Sequence, residues 1–141
     1  DPPLWPGGEA LLAAAPSAGF AHLAWGPAEV EFALNVARRS LDMRTELVAL
    51  YKELRGAPSY AGAALEQALR GRATHPRTPL HAARLVRVLS DVGLVELAPG
   101  PELRLLDAHR TELERSPTYM DALERYAMAR AYLERALTRA A

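Results

Sequence analysis

Apolar residues recur at helical spacing through most of the chain and switch to alternation in one short stretch. Val30, Leu34, Ala37 and Leu41 make one stripe, which predicts a helix from Pro27 to Ser40 opening at Gly26. Leu47, Leu50, Tyr51 and Leu54 sit at i, i+3, i+4 and i+7 and predict a second helix, Met43 to Arg55, capped by Asp42 and ended by Gly56 and Pro58. A third is expected from a Ser59 cap to Arg70, with Leu65, Ala68 and Leu69 inward and Gly71 as its stop. After a loop from Arg72 to Arg77, Thr78 can cap a fourth helix. Pro79 suits its first turn, where a proline loses no hydrogen bond. Ala82, Leu85, Val86, Leu89 and Val92 then repeat at helical spacing up to Gly93, which can take the left-handed conformation that ends a helix.

The period then changes. Leu94-Val95-Glu96-Leu97 and Glu102-Leu103-Arg104-Leu105 alternate like strands, and Ala98-Pro99-Gly100-Pro101 between them is strong turn chemistry. Helix, glycine, strand, turn, strand is how a winged helix-turn-helix ends. Beyond the hairpin, Asp107 to Arg115 is polar, and Thr111 and Glu114 have capping-box spacing. Ser116-Pro117 is a second cap-and-proline start, for a helix reaching about Arg139 with Met120, Leu123, Ala127, Ala131 and Leu133 on its apolar side. The expected fold is mainly α in an α+β arrangement: a winged helix-turn-helix core with a β-hairpin wing and flanking helices. Such a unit binds nucleic acid or protein more often than it performs chemistry.

Upstream, residues 1–26 read as a linker and the edge of a preceding domain, and residues 27–141 as the helical accessory domain. Asp1 to Gly8 is rich in proline and glycine, Glu9 to Ala15 suits a short helix, and Phe20 to Trp25 alternates weakly like a strand. The chain opens on Asp1 and is expected to be a piece of a longer protein.

At 141 residues the chain can bury a real core. It has no cysteine, which excludes disulfides and thiolate-ligated zinc and agrees with a reducing, cytoplasmic setting. No apolar run is long enough to span a bilayer, and no basic n-region before an apolar stretch is visible as a signal peptide, so no membrane partner is expected. Net charge is zero but unevenly spread: −4 over residues 1–37, +6 over 38–87 and −2 over 88–141. Lys52 is the only lysine, so the basic middle is built from arginine, whose planar fork suits carboxylates and phosphates.

Candidate catalytic chemistry is sparse. His22, His75, His81 and His109 share no recurrent metal-ligand spacing with each other or with carboxylates, and read as ordinary surface or half-buried histidines. Ser116 lies near His109 and Glu112, but Pro117 marks it as a helix cap rather than a nucleophile. No glycine-rich phosphate loop occurs, and Glu29/Glu31 and Glu112/Glu114 are spaced for different helix faces. Trp25, Tyr51, Tyr60, Tyr119, Tyr126 and Tyr132 are spread as packing anchors rather than as a base-stacking platform. No catalytic residue and no metal or cofactor is assigned to this chain.

The arginines are more informative. Arg70, Arg72, His75 and Arg77 cluster before the fourth helix, Arg84 and Arg87 lie on it about one turn apart, and Arg104 sits on the wing. Two partners fit. In one, Arg70, Arg72, Arg77, Arg87 and Arg104 contact phosphates of nucleic acid. In the other, Arg77, Arg84 and Arg87 beside an apolar groove take a short acidic tail with one large apolar anchor. The helix carries no asparagine or glutamine for base reading, and the chain is not basic overall; both points count against sequence-specific DNA recognition.

Three segments resemble a known family: Arg44-Thr45-Glu46-Leu47-Val48-Ala49-Leu50-Tyr51, Val88-Leu89-Ser90-Asp91-Val92-Gly93-Leu94-Val95, and Thr111-Glu112-Leu113-Glu114-Arg115-Ser116-Pro117-Thr118-Tyr119. In this order they look like the C-terminal domain of RecJ, the bacterial single-strand-specific 5′→3′ DNA exonuclease of the DHH phosphoesterases. Ala24-Trp25-Gly26 running into Glu29-Val30-Glu31-Phe32-Ala33 resembles the join to its upstream part. The resemblance covers roughly Leu41 to Leu133. It implies a hydrolase parent acting in DNA repair and recombination, with manganese or magnesium held by aspartates and histidines of an N-terminal core. None of those motifs stands in this chain. The implied role is accessory: engaging single-stranded DNA or recruiting a repair protein, such as the single-stranded-DNA-binding protein with its acidic, phenylalanine-ended tail.

Overall fold

The computed structural model describes residues 26–72, 76–107 and 111–140, and of 136, 137, 139 and 140 the backbone alone. The helix expected at Glu9–Ala15, the strand at Phe20–Trp25, the join at Ala24–Trp25, and His22, His75 and His109 lie outside the described residues. The chain is mainly helical with a small three-stranded antiparallel sheet, an α+β arrangement. Two compact units are present, one spanning 43–122 and the other built, among described residues, from 26–42 and 123–140.

The second of these holds α1 (Pro27–Leu41) and most of α5 (Pro117–Ala140). Pro27 occupies the first turn of α1, and the N–H of Gly26 donates to Glu29 Oε2 at 2.9 Å, which satisfies one donor at the helix start. Val30, Ala33 and Leu133 form its buried cluster, with Leu34 and Tyr132 packed against them.

The 43–122 unit runs α2 (Arg44–Leu54), β1 (Ser59–Ala61), α3 (Gly62–Arg70), α4 (Pro79–Asp91), β2 (Val95–Ala98) and β3 (Glu102–Leu105). A 3-10 turn (Leu113–Arg115) and the first turns of α5 complete it. The sheet order is β1-β3-β2. Leu47, Leu50 and Leu54 bury the expected face of α2, and α4 packs on α2, α3 and β2 through Ala82, Leu85, Val86 and Leu89.

The ends of α4 follow the sequence reading closely. Thr78 Oγ1 accepts from the N–H of His81 at 3.3 Å. At the other end Leu94 N–H reaches Leu89 O at 2.8 Å and Gly93 N–H reaches Ser90 O at 3.0 Å, with Gly93 at φ +73°. That pair of bonds is the Schellman stop, and it requires a left-handed residue. A Cβ at Gly93 would meet nothing within 4 Å. Gly93→Ala therefore isolates the backbone term, and an equilibrium urea melt is expected to show a loss of about 1–2 kcal/mol.

Four local expectations are corrected. Ser59 does not cap α3: Ser59–Ala61 is a strand, with Tyr60 opposite Leu103, and α3 begins at Gly62 behind an extended Ala61. β3 needs a partner on its second edge, and a three-residue strand is too short to show a period in sequence. Asp42 does not cap α2. Its N–H bonds to Arg38 O and closes α1, and Met43, fully buried, occupies the cap position of α2 without a side-chain bond. The stripe of α5 is displaced: Tyr119, Ala122, Ala129 and Leu133 are buried, whereas Met120, Ala127 and Ala131 are exposed. Alanine-rich helices offer several apolar stripes, and packing selects one. Thr111 forms no capping box, since its hydroxyl donates to Val92 O at 3.4 Å and Glu112 leads the 3-10 turn.

Candidate docking surface

The fourth predicted helix, α4, presents one unburied face. Leu80, Ala83, Arg84 and Arg87 fall within about a third of a turn of each other on a helical wheel, and none of them is buried. Leu80 is 64% exposed. Next to this face, Leu69, Arg70, Pro76, Pro79, Ala82 and Ala83 line a shallow groove of about 650 Å³ between α3 and the start of α4. Its lining is mostly apolar, and Glu66, Arg70, Arg77 and Thr78 also contribute to it.

The predicted arginines divide into three kinds. Arg84 is half-buried on α4 and has no ion pair among the described residues. Arg70, Arg72, Arg87 and Arg104 are exposed and each lies beside a carboxylate: Glu66 at 3.5 Å, Glu53 at 3.7 Å, Asp91 at 3.0 Å and Glu102 at 3.0 Å. Solvent screens such exposed pairs until each contributes little, so these cations can exchange partners. The hydrogen bond and charge of Glu102 raise the Arg104 guanidinium, and Arg104 in turn, with Ser59, lowers the Glu102 carboxyl.

Arg77 is different, and its expected role as a contact is not the one its position provides. Its side chain is 12% exposed, and Nε donates to Glu46 Oε2 at 2.6 Å. Nη1 lies 3.5 Å from Ala68 O and 3.4 Å from Leu69 O, carbonyls at the end of α3 that have no later helical partner. Glu46 stands 31 residues earlier on α2, and nothing in the sequence announced the pairing.

His81, the one histidine among the described residues, is buried rather than surface-lying or half-buried. Neither ring nitrogen has a hydrogen-bond partner, and Nε2 lies 3.6 Å from Glu46 Oε2, beyond hydrogen-bond reach. Among the described residues no group of three or more histidine, aspartate or glutamate side chains could hold a metal ion. Ser116 acts as the expected cap: its Oγ accepts from Tyr119 N–H at 3.1 Å and donates to Asp91 Oδ2 at 2.8 Å. No described helix is long and apolar enough to cross a membrane.

Among the described residues, this face of α4 offers a ligand guanidinium groups beside an apolar groove. No protein-family model, curated protein or solved structure matches the chain.

Proposed function

We propose that residues 43–122 are a winged-helix unit, with α4 in the recognition-helix position and β2–β3 as the wing, and that it serves as a non-catalytic docking module. The order helix, strand, helix, helix, hairpin and the β1-β3-β2 sheet support that reading. Its partner is an acidic protein segment with a large apolar anchor. The observation that carries this is the pairing of the apolar α3–α4 groove with Arg84, Arg87 and Leu80 on the adjoining face of α4. The anchor would occupy the groove, and carboxylates would take the guanidinium groups. Consistent with the RecJ resemblance, the parent would be a single-strand-specific exonuclease whose metal chemistry is held elsewhere, and the partner a repair protein such as the single-stranded-DNA-binding protein.

Direct nucleic-acid binding is the weaker reading. Each of Arg70, Arg72, Arg77, Arg87 and Arg104 has a carboxylate within 3.7 Å, so the surface is a mosaic of both signs rather than a basic track. A fluorescence titration with an acidic peptide ending in phenylalanine, beside one with single-stranded DNA, separates the two. Arg84→Ala with Arg87→Ala is expected to weaken the peptide about ten-fold or more, from two charge-assisted hydrogen bonds lost. Unchanged peptide binding would remove these residues from the site. Tight DNA binding with a logarithmic salt slope near −0.7 per phosphate contact would favour the other partner.

A further inference from the structure

Arg77 lies in the wall of the α3–α4 groove yet offers its guanidinium inward. Three segments converge on that group. Glu46 of α2 holds Nε, and the carbonyls of Ala68 and Leu69 at the end of α3 face Nη1. Gly71 passes so close that a Cβ there would sit 2.8 Å from Nη1, at a φ of +73° that also favours glycine. The backbone completes the fastening: Arg77 N–H donates to Arg70 O at 2.9 Å and Gly71 N–H to Gln67 O at 3.1 Å. Thr78, the very next residue, caps α4. A single side chain therefore ties the last turn of α3 to the first turn of α4, and these two turns are the walls of the groove.

We infer that Arg77, clamped between Glu46 and Gly71, is a positioning residue for partner binding: it sets the spacing of Leu69 and Arg70 against Ala82 and Ala83 while its guanidinium stays engaged within the fold rather than with the partner's charges. This rests on the docking reading above and adds a residue set to it. Arginine is needed because one planar group must serve a carboxylate on one side and carbonyls on another. Glycine suits position 71 because its backbone stands at φ +73°, and a Cβ there would push the Arg77 guanidinium out of its place.

The test uses the full chain and the acidic, phenylalanine-ended peptide, with affinity measured at low and high salt for wild type, Arg77→Met, Gly71→Ala, Glu46→Gln and Arg84→Ala. A residue that contacts the peptide's charges carries part of the salt dependence, whereas one that only holds the groove open does not. Arg77→Met and Gly71→Ala are expected to weaken binding about five- to ten-fold, comparable to misaligning one good hydrogen bond, while the salt dependence stays as in wild type. Glu46→Gln can still accept from Arg77 and is expected to lose less. Arg84→Ala is expected to flatten the salt dependence. Gly71→Ala keeps every charge, so it decides the matter should Arg77→Met fail to fold. Folded Gly71→Ala with wild-type affinity, or Arg77→Met flattening the salt dependence as Arg84→Ala does, would overturn the clamp and leave the docking reading standing. Wild type failing to bind the peptide would remove the docking reading, and the clamp's role in it as well.

Discussion

Leu85→Ala is expected to lower the unfolding free energy of the chain by about 2–5 kcal/mol, because deleting a fully buried leucine loses its transfer energy and leaves a cavity that close-packed neighbours fill only in part. Leu85 is fully buried on α4, the helix that packs on α2, α3 and β2 at once, so its neighbours are fixed by three separate elements and have little room to collapse. An equilibrium urea melt measures the loss. Arg84, the preceding residue, provides the internal comparison. It points away from that core, and Arg84→Ala is expected to leave the melt within about 0.5 kcal/mol of wild type. The two adjacent positions thus separate stability from docking: the first change should move the melt, the second the peptide affinity. A Leu85→Ala chain within 1 kcal/mol of wild type would mean that α4 is not the hub of the core.

How much of this was legible in the sequence depends on where the determining atoms lie. Thr78, Pro79 and Gly93 act on their own backbone or on residues a few positions away, so the limits of α4 were readable from local chemistry. Ser116 and Pro117 marked the start of α5 for the same reason. β1 was not readable, since Ser59–Ala61 is a strand only because β3, some forty residues later, offers an edge. The face of α5 was misplaced because alanine permits several stripes, and only tertiary packing chooses Tyr119 and Ala122 over Met120 and Leu123. The arginines of the candidate site were all visible as charges, but not their engagements. Arg84 and Arg77 differ by seven positions and nothing in composition distinguishes them. Glu46 across the fold turns one inward, while the other stays on the open face of α4.

Asp91 carries the second large effect, and it makes stability depend on acid. Its carboxylate accepts from Ser116 Oγ at 2.8 Å, from Thr118 Oγ1 at 2.9 Å, and pairs with Arg87 Nε at 3.0 Å, at a side-chain exposure of 13%. Burial pushes the carboxyl up, but the hydrogen bonds from Ser116 and Thr118, together with the Arg87 charge, outweigh it and hold Asp91 below the ordinary aspartate value. A carboxyl lowered in the folded state contributes stability above its unfolded pKa and loses that contribution as pH falls through the folded one. The gap between wild type and Asp91→Asn is therefore expected to be widest at neutral pH and to close below about pH 4, where the unfolded chain takes up the proton first. Titration of every other carboxylate is common to both chains, so the difference between their urea melts isolates Asp91. Asp91→Ala removes the acceptor altogether and leaves the O–H of the fully buried Ser116 with no acceptor, for an expected loss of about 2–4 kcal/mol at neutral pH. The Arg87 share of that loss is small, because its guanidinium is 72% exposed. The asymmetry is compatible with the proposed docking: the Ser116 and Thr118 hydroxyls would still satisfy the Asp91 carboxylate were Arg87 to engage a partner. A gap between wild type and Asp91→Asn that stays constant from neutral pH into acid would show that the Ser116 and Thr118 hydroxyls do not stabilise the ionised form.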